Sequence, residues 1–143
     1  MFKPGGYLPA RVPFEEDMKT YYDYREFNFV HVWRFDLCSL RLHFERVLVL
    51  DYVEHAMVLP TYRGLQPCRM KIAENAAEVR GILDELPDDL PGIAQMRAFT
   101  ELSEQNFLDL MNQVSIRFPE HFQRLCDQVA GFLEINILFR KKA

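Results

Sequence analysis

Three of the chain's four histidines stand twelve residues apart, at His31, His43 and His55. Imidazoles spaced through a sheet are the raw material of a metal site or of a general base. Zinc needs three or four N, S or O donors converging on one point at roughly 2.0–2.3 Å. Strand parity decides whether these three could converge. Phe27, Phe29, His31, Trp33, Phe35 and Leu37 alternate with polar or smaller residues, which is the period of a strand with one apolar face. From Cys38 the phase changes, and Leu40, Leu42 and Phe44 oppose Arg41, His43 and Glu45. A face changes parity only at a turn or bulge, placed here at Asp36–Ser39. His31 then belongs to the aromatic face and His43 to the polar face of the next strand, so the two cannot share an ion. A second break near Glu45–Arg46 leaves the direction of His55 open. The pattern leads to no metal and no cofactor, with His31 as a polar group inside a core.

Cys38, Cys68 and Cys126 are the other candidate nucleophiles. A reactive thiol needs a base, a cation or a helix N-terminus to lower its pKa. Cys126 follows His121 by five residues, which turns the two apart on a helix, and it falls on an apolar stripe. Cys38 falls on an apolar strand face. Cys68, beside Arg69 in a Pro/Gly-rich loop, reads as the most accessible. The acids Asp84, Glu85, Asp88 and Asp89 lack the alternation and central glycine of a calcium loop and read as a solvated helix end. No phosphate-binding loop, dinucleotide fingerprint, HExxH, GxSxG or zinc-finger spacing occurs.

The elements that would position these groups fall into two halves. Residues 1–14 contain Pro4, Gly5, Gly6, Pro9 and Pro13 and read as an extended arm that lies along a surface, its own or a partner's. Residues 15–26 suit a short acidic helix start. Residues 27–59 read as an antiparallel sheet. Pro60, Gly64 and Pro67 mark a loop over 60–69. Ile72, Ala76, Val79, Leu83 and Leu86 make one helical stripe over 71–86, in which Gly81 implies a close packing contact. A second helical region, 93–118, holds two N-cap candidates in Thr100 and Ser103. A third, 119–134, starts on Pro119. Alternation of Ile135, Ile137 and Phe139 predicts a last strand over 134–140, with continued helix as the alternative. Strands followed by helices give an α+β fold, a sheet with helices packed on one face.

At 143 residues the chain is expected to form a single domain. Its hydrophobic fraction of 49% excludes a disordered chain. The net charge of −4 comes from residues 70–143, where eight basic side chains face twelve acidic ones. Such a balance gives no overall positive field for nucleic acid. Three widely spaced cysteines suit a reducing cytoplasm rather than a disulfide framework. No apolar run is long enough to span a membrane, and neither membrane nor nucleic acid is expected as a partner.

Two functions fit. The first is a small non-enzymatic protein–protein interaction module, such as an accessory subunit, inhibitor or chaperone-like protein, docking on another protein or on itself as a homo-oligomer. Its contact residues would be Phe2, Tyr7 and Leu8 of the arm and the tyrosines Tyr21, Tyr22 and Tyr24, since buried rings with bonded hydroxyls suit interfaces. The alternative is a small-molecule-binding domain or enzyme with a pocket between sheet and helices, lined by His31, Trp33, Arg34 and Cys38.

Overall fold

The protein was studied as a computed structural model, which describes residues 3–14, 37–59, 64–99, 102–129 and 133–142. The expected short helix over 15–26 and the expected strand over 27–37, apart from Leu37, lie outside these residues. The described elements are β1 (Tyr7–Phe14), α1 (Leu37–Arg46), β2 (Leu50–Val58), α2 (Gln66–Glu74), α3 (Ala76–Asp84), α4 (Ile93–Ala98), α5 (Glu104–Arg117), α6 (Pro119–Val129) and β3 (Leu133–Lys141).

The class is α+β, and its sheet is antiparallel with order β1-β3-β2. The last strand is the central one. Leu133, Ile135, Ile137 and Phe139 put one face of β3 wholly into the core, as their alternation requires. Leu8, Ala10 and Val12 of β1 pack on the same side. The helices supply the rest of the core through Val79, Met96, Phe107, Leu110, Met111, Val114, Phe122 and Leu125.

The arm is therefore a strand of the sheet. Gly6 O accepts from Lys141 N–H at 2.9 Å, and the pairing then runs Leu8 with Phe139, Ala10 with Ile137 and Val12 with Ile135. Hydrogen-bonded pairs recur every second residue, so Tyr7, Pro9, Arg11 and Pro13 turn their backbone groups to the free edge. Two of those four have no N–H to offer. The prolines that made the sequence look like a loose arm are placed where a strand edge must be protected from further pairing.

Residues 38–44 are helix rather than strand. Leu37, Leu40 and Phe44 also satisfy the i, i+3, i+7 spacing of a helix stripe. Leu40 is buried, Leu37 and Phe44 pack on the core, and Arg41 reaches Glu45 one turn on at 3.6 Å. The misleading residue is Leu42, which completes the period-two pattern but is exposed. The sheet drawn from 27–59 thus keeps only β2 within the described residues, and its other two strands come from the two ends of the sequence.

The helical stripe over 71–86 divides at Asn75, whose backbone leaves helical geometry while its side-chain amide donates to Gln128 O at 2.9 Å. The first piece starts earlier than expected, with Pro67 in its first turn, where its missing N–H costs nothing. Gly81 meets nothing within 4 Å, so the contact expected there is absent. The close approach is at Gly92 instead: its φ is 76°, and a Cβ there would stand 2.2 Å from Asn106 O. The region 93–118 is two helices, and Ser103 caps the second by accepting from Asn106 N–H at 3.1 Å. Among the described residues no helix is long and apolar enough to cross a membrane.

Candidate functional site

A bulge in β2 between Tyr52 and Glu54 sets the direction of His55. Leu50 and Tyr52 face the helices, the bulge adds one residue, and His55 and Met57 face them afterwards. No parity count could settle His55 without that bulge. On the inner face the imidazole lies between two hydroxyls. Its Nδ1 is 2.6 Å from Tyr52 Oη and its Nε2 is 2.9 Å from Ser115 Oγ, on α5.

A serine beside a histidine beside a third polar group resembles a nucleophile with its base. The protons are arranged otherwise. Ser115 Oγ donates its one proton to Asn112 O at 2.7 Å, an i−3 carbonyl of its own helix. It therefore accepts from His55 Nε2–H, and Nδ1 is left to accept from the Tyr52 hydroxyl. In this tautomer the imidazole has no free lone pair for the serine proton. Ser115 is also buried, the sole buried polar residue among those described. Burial, then the nearby Arg41 cation, hold His55 below its usual pKa, which favours the neutral ring that the chain of bonds requires. Burial raises Tyr52 above the usual tyrosine range, against a lowering by Arg41, whose guanidinium stands 4.0 Å over the Tyr52 ring. The neighbouring Asn112 Oδ1 accepts from Met57 N–H at 2.7 Å, on the free edge of β2. Together these bonds fasten β2 to α5. They form a strut, with every donor directed to an acceptor.

Sequence reading missed Ser115 and Tyr52. The available signal was Ser115 itself, which stands four residues past Met111 on the apolar stripe of α5. A polar residue on such a stripe implies a buried partner.

The thiols differ from expectation in two places. Cys38 is exposed on α1 rather than on an apolar strand face. Cys68 is wholly buried in α2, and burial pushes its pKa up to about 12, so it is the least reactive kind of thiol. Cys126 is buried on the stripe of α6. The acids at 84–89 are taken up by arginines. Glu85 receives both arms of Arg124, at 2.7 and 2.9 Å, and lies 3.1 Å from His121 Nε2. The Arg124 bonds hold its carboxyl down at about 2. Arg97 binds Asp88 and donates to Leu83 O and Leu86 O, which ends α3. No group of three or more His, Cys, Asp and Glu among the described residues is arranged to hold a metal ion.

Of the residues named from sequence, Phe2, Tyr21, Tyr22, Tyr24, His31, Trp33 and Arg34 lie outside the described residues. Tyr7 and Leu8 are neighbours on β1 with opposite directions. Leu8 packs on the core, while Tyr7 is 56% exposed on the other face of the sheet. That outer face is mixed: Tyr7, Pro9, Ala56, Val58 and Leu138 stand among Arg11, Glu134, Asp51 and Glu54. A separate exposed apolar stretch, Val47–Leu48–Val49, forms the turn from α1 to β2, with exposures of 63, 48 and 56%.

Compared with known proteins, the chain matches no family model, no curated protein and no solved structure.

Proposed function

We propose that the protein is a small non-enzymatic protein–protein interaction module, acting as an accessory subunit, inhibitor or chaperone-like protein in the cytoplasm. The observation that carries this reading is the outer face of the sheet. Among the described residues no helix packs on it, and Tyr7 stands on it with more than half its surface exposed. A face with an aromatic anchor, short apolar side chains and the Arg11–Glu134 ion pair has the composition of a protein interface. The partner is a different protein or a second copy of the chain. The one His-centred network, by contrast, spends its protons on tying β2 to α5, which supports a role other than catalysis.

The test is the mass of the native assembly. The protein is purified from its own cells, and its complex is measured by size exclusion with light scattering, for the wild type and for Tyr7→Glu and Ala56→Glu. Both sites are exposed, so the fold is expected to survive, as circular dichroism would check. The reading expects a stoichiometric complex that both substitutions dissociate. A wild type that runs as a lone monomer, or an assembly unchanged by both substitutions, would refute it.

A further inference from the structure

Three stretches far apart in the sequence meet at one end of the sheet. Tyr7 pairs with Arg140 and Leu50 with Lys141, so β1 and β2 begin where β3 ends. The turn before β1 is held at the same place, since Gly5 N–H donates to Lys141 O at 3.2 Å and Gly6 N–H to Lys3 O at 3.0 Å. The α1–β2 turn leads directly into Leu50. This end therefore gathers Lys3, Arg46, Arg140, Lys141 and Lys142 around Val47, Leu48 and Val49. The acid at the start of β2 is Asp51, 3.6 Å from Lys142, and Glu45 is engaged by Arg41. Among the described residues, five cations less Asp51 give +4 at this end, in a chain whose formal charge is −4.

The apolar turn at the centre of this cationic end is unusual in itself. Val49 has φ of 54°, a region that β-branched residues avoid. Its side chain is exposed, so packing within the chain does not explain a strained valine there.

We propose that this end is a peripheral contact site for an anionic lipid surface. Aliphatic side chains at a protruding turn enter the boundary between headgroups and acyl chains, while the surrounding cations meet the lipid phosphates and carboxylates. A nucleic acid would use the cations but has no use for three adjacent aliphatic residues. A second copy docking through the same face would set +4 against +4. A surface contact needs no spanning helix, and the anionic inner leaflet is open to a cytoplasmic protein. The inference does not rest on the sheet-face reading: the cationic end adjoins that face only at Tyr7, opposite Arg140, while Ala56 lies opposite Asn136 farther along β3.

The experiment is co-sedimentation of the full chain with phosphatidylcholine vesicles, with and without phosphatidylserine, at low and raised salt. Binding is expected only with phosphatidylserine, and raised salt weakens it. Each basic side chain at such a surface is worth about fivefold in partitioning, so the exposed pair Arg46→Gln/Arg140→Gln should lower it about twenty-five-fold. Leu48→Ser should lower it about tenfold without changing the salt dependence. Absence of binding to phosphatidylserine vesicles would overturn the proposal. So would equal binding to both vesicle types. Binding to an oligonucleotide as tight as that to vesicles, with Leu48→Ser without effect, would reduce the site to a general polyanion contact and overturn the lipid assignment. The Ala56→Glu variant, opposite Asn136 and four residues along β3 from Arg140, should bind vesicles as the wild type does, which separates this outcome from that of the sheet-face reading.

Discussion

Replacing Ser115 by alanine removes the acceptor at the centre of the strut. The hydroxyl leaves, and His55 Nε2–H loses its partner in a part-buried site where the inner face of β2 meets α5. Losing the hydrogen bond costs about 1 kcal/mol, and leaving a donor without an acceptor adds a similar amount, so a total of about 2 kcal/mol is expected. For a chain of this length that corresponds to a fall in Tm of about 4–8 °C. The pH dependence carries the stronger signature. His55 has its pKa lowered in the folded state by burial and by Arg41. The unfolded chain therefore takes up a proton first as the pH falls. The stabilisation is complete above the unfolded value of 6.5, and it is lost as the pH falls from there through the lower folded value. Protonation leaves Nε2–H donating to Ser115 but reverses the bond at Nδ1, so the Tyr52 hydroxyl must turn away. Glu85, with its carboxyl held at about 2, adds its own acid dependence only below its ordinary value of 4.5. Denaturant unfolding of wild type, Ser115→Ala, His55→Phe and the double variant at several pH values between these two limits measures both effects. The coupling between the two sites should be about 1 kcal/mol or more, and His55→Phe should flatten the profile above the range of Glu85. Additive single effects, or a profile unchanged by His55→Phe, would refute the strut.

Other perturbations follow from single residues. Val49→Asn should stabilise the protein by about 1 kcal/mol, seen as a rise in Tm, because asparagine tolerates a φ of 54° and no buried surface is lost. Gly92→Ala should cost more than about 2 kcal/mol in denaturant unfolding, because the new Cβ meets the Asn106 carbonyl at 2.2 Å and the φ is positive. Pro9→Val returns an N–H to the free edge of β1, and light scattering should then show association that grows with concentration beyond the mass of the wild-type species.

The elements that sequence reading located are those whose period was long and single-valued. The stripes of α5 and α6 each fit one period over eleven or more residues, whereas the tail fitted both a strand and a continued helix, and pairing with β1 and β2 makes it the strand β3. The region 37–46 fitted two periods at once, and tertiary packing against β2 chose the helix. The role of β1 was hidden by its prolines, which weigh against a strand in isolation and are favoured once that strand is an edge. The strut could not be read because its direction depends on one bulged residue at Val53 and on a partner sixty positions away at Ser115. The cationic end was hidden for a similar reason. Arg46, Lys3 and Arg140–Lys142 are unremarkable where they stand in the sequence, and only the strand register brings them together.

Carboxylate footprinting of the native assembly is the most direct measurement of whether the outer sheet face is a docking surface. Asp51, Glu54 and Glu134 lie on that face, while Asp88 and Asp89 are exposed on the distant α3–α4 connection. Carbodiimide labelling should fall at Glu54 and Glu134 in the assembly relative to the isolated chain and stay constant at Asp88 and Asp89. Equal labelling of the sheet-face acids in both states would contradict the account.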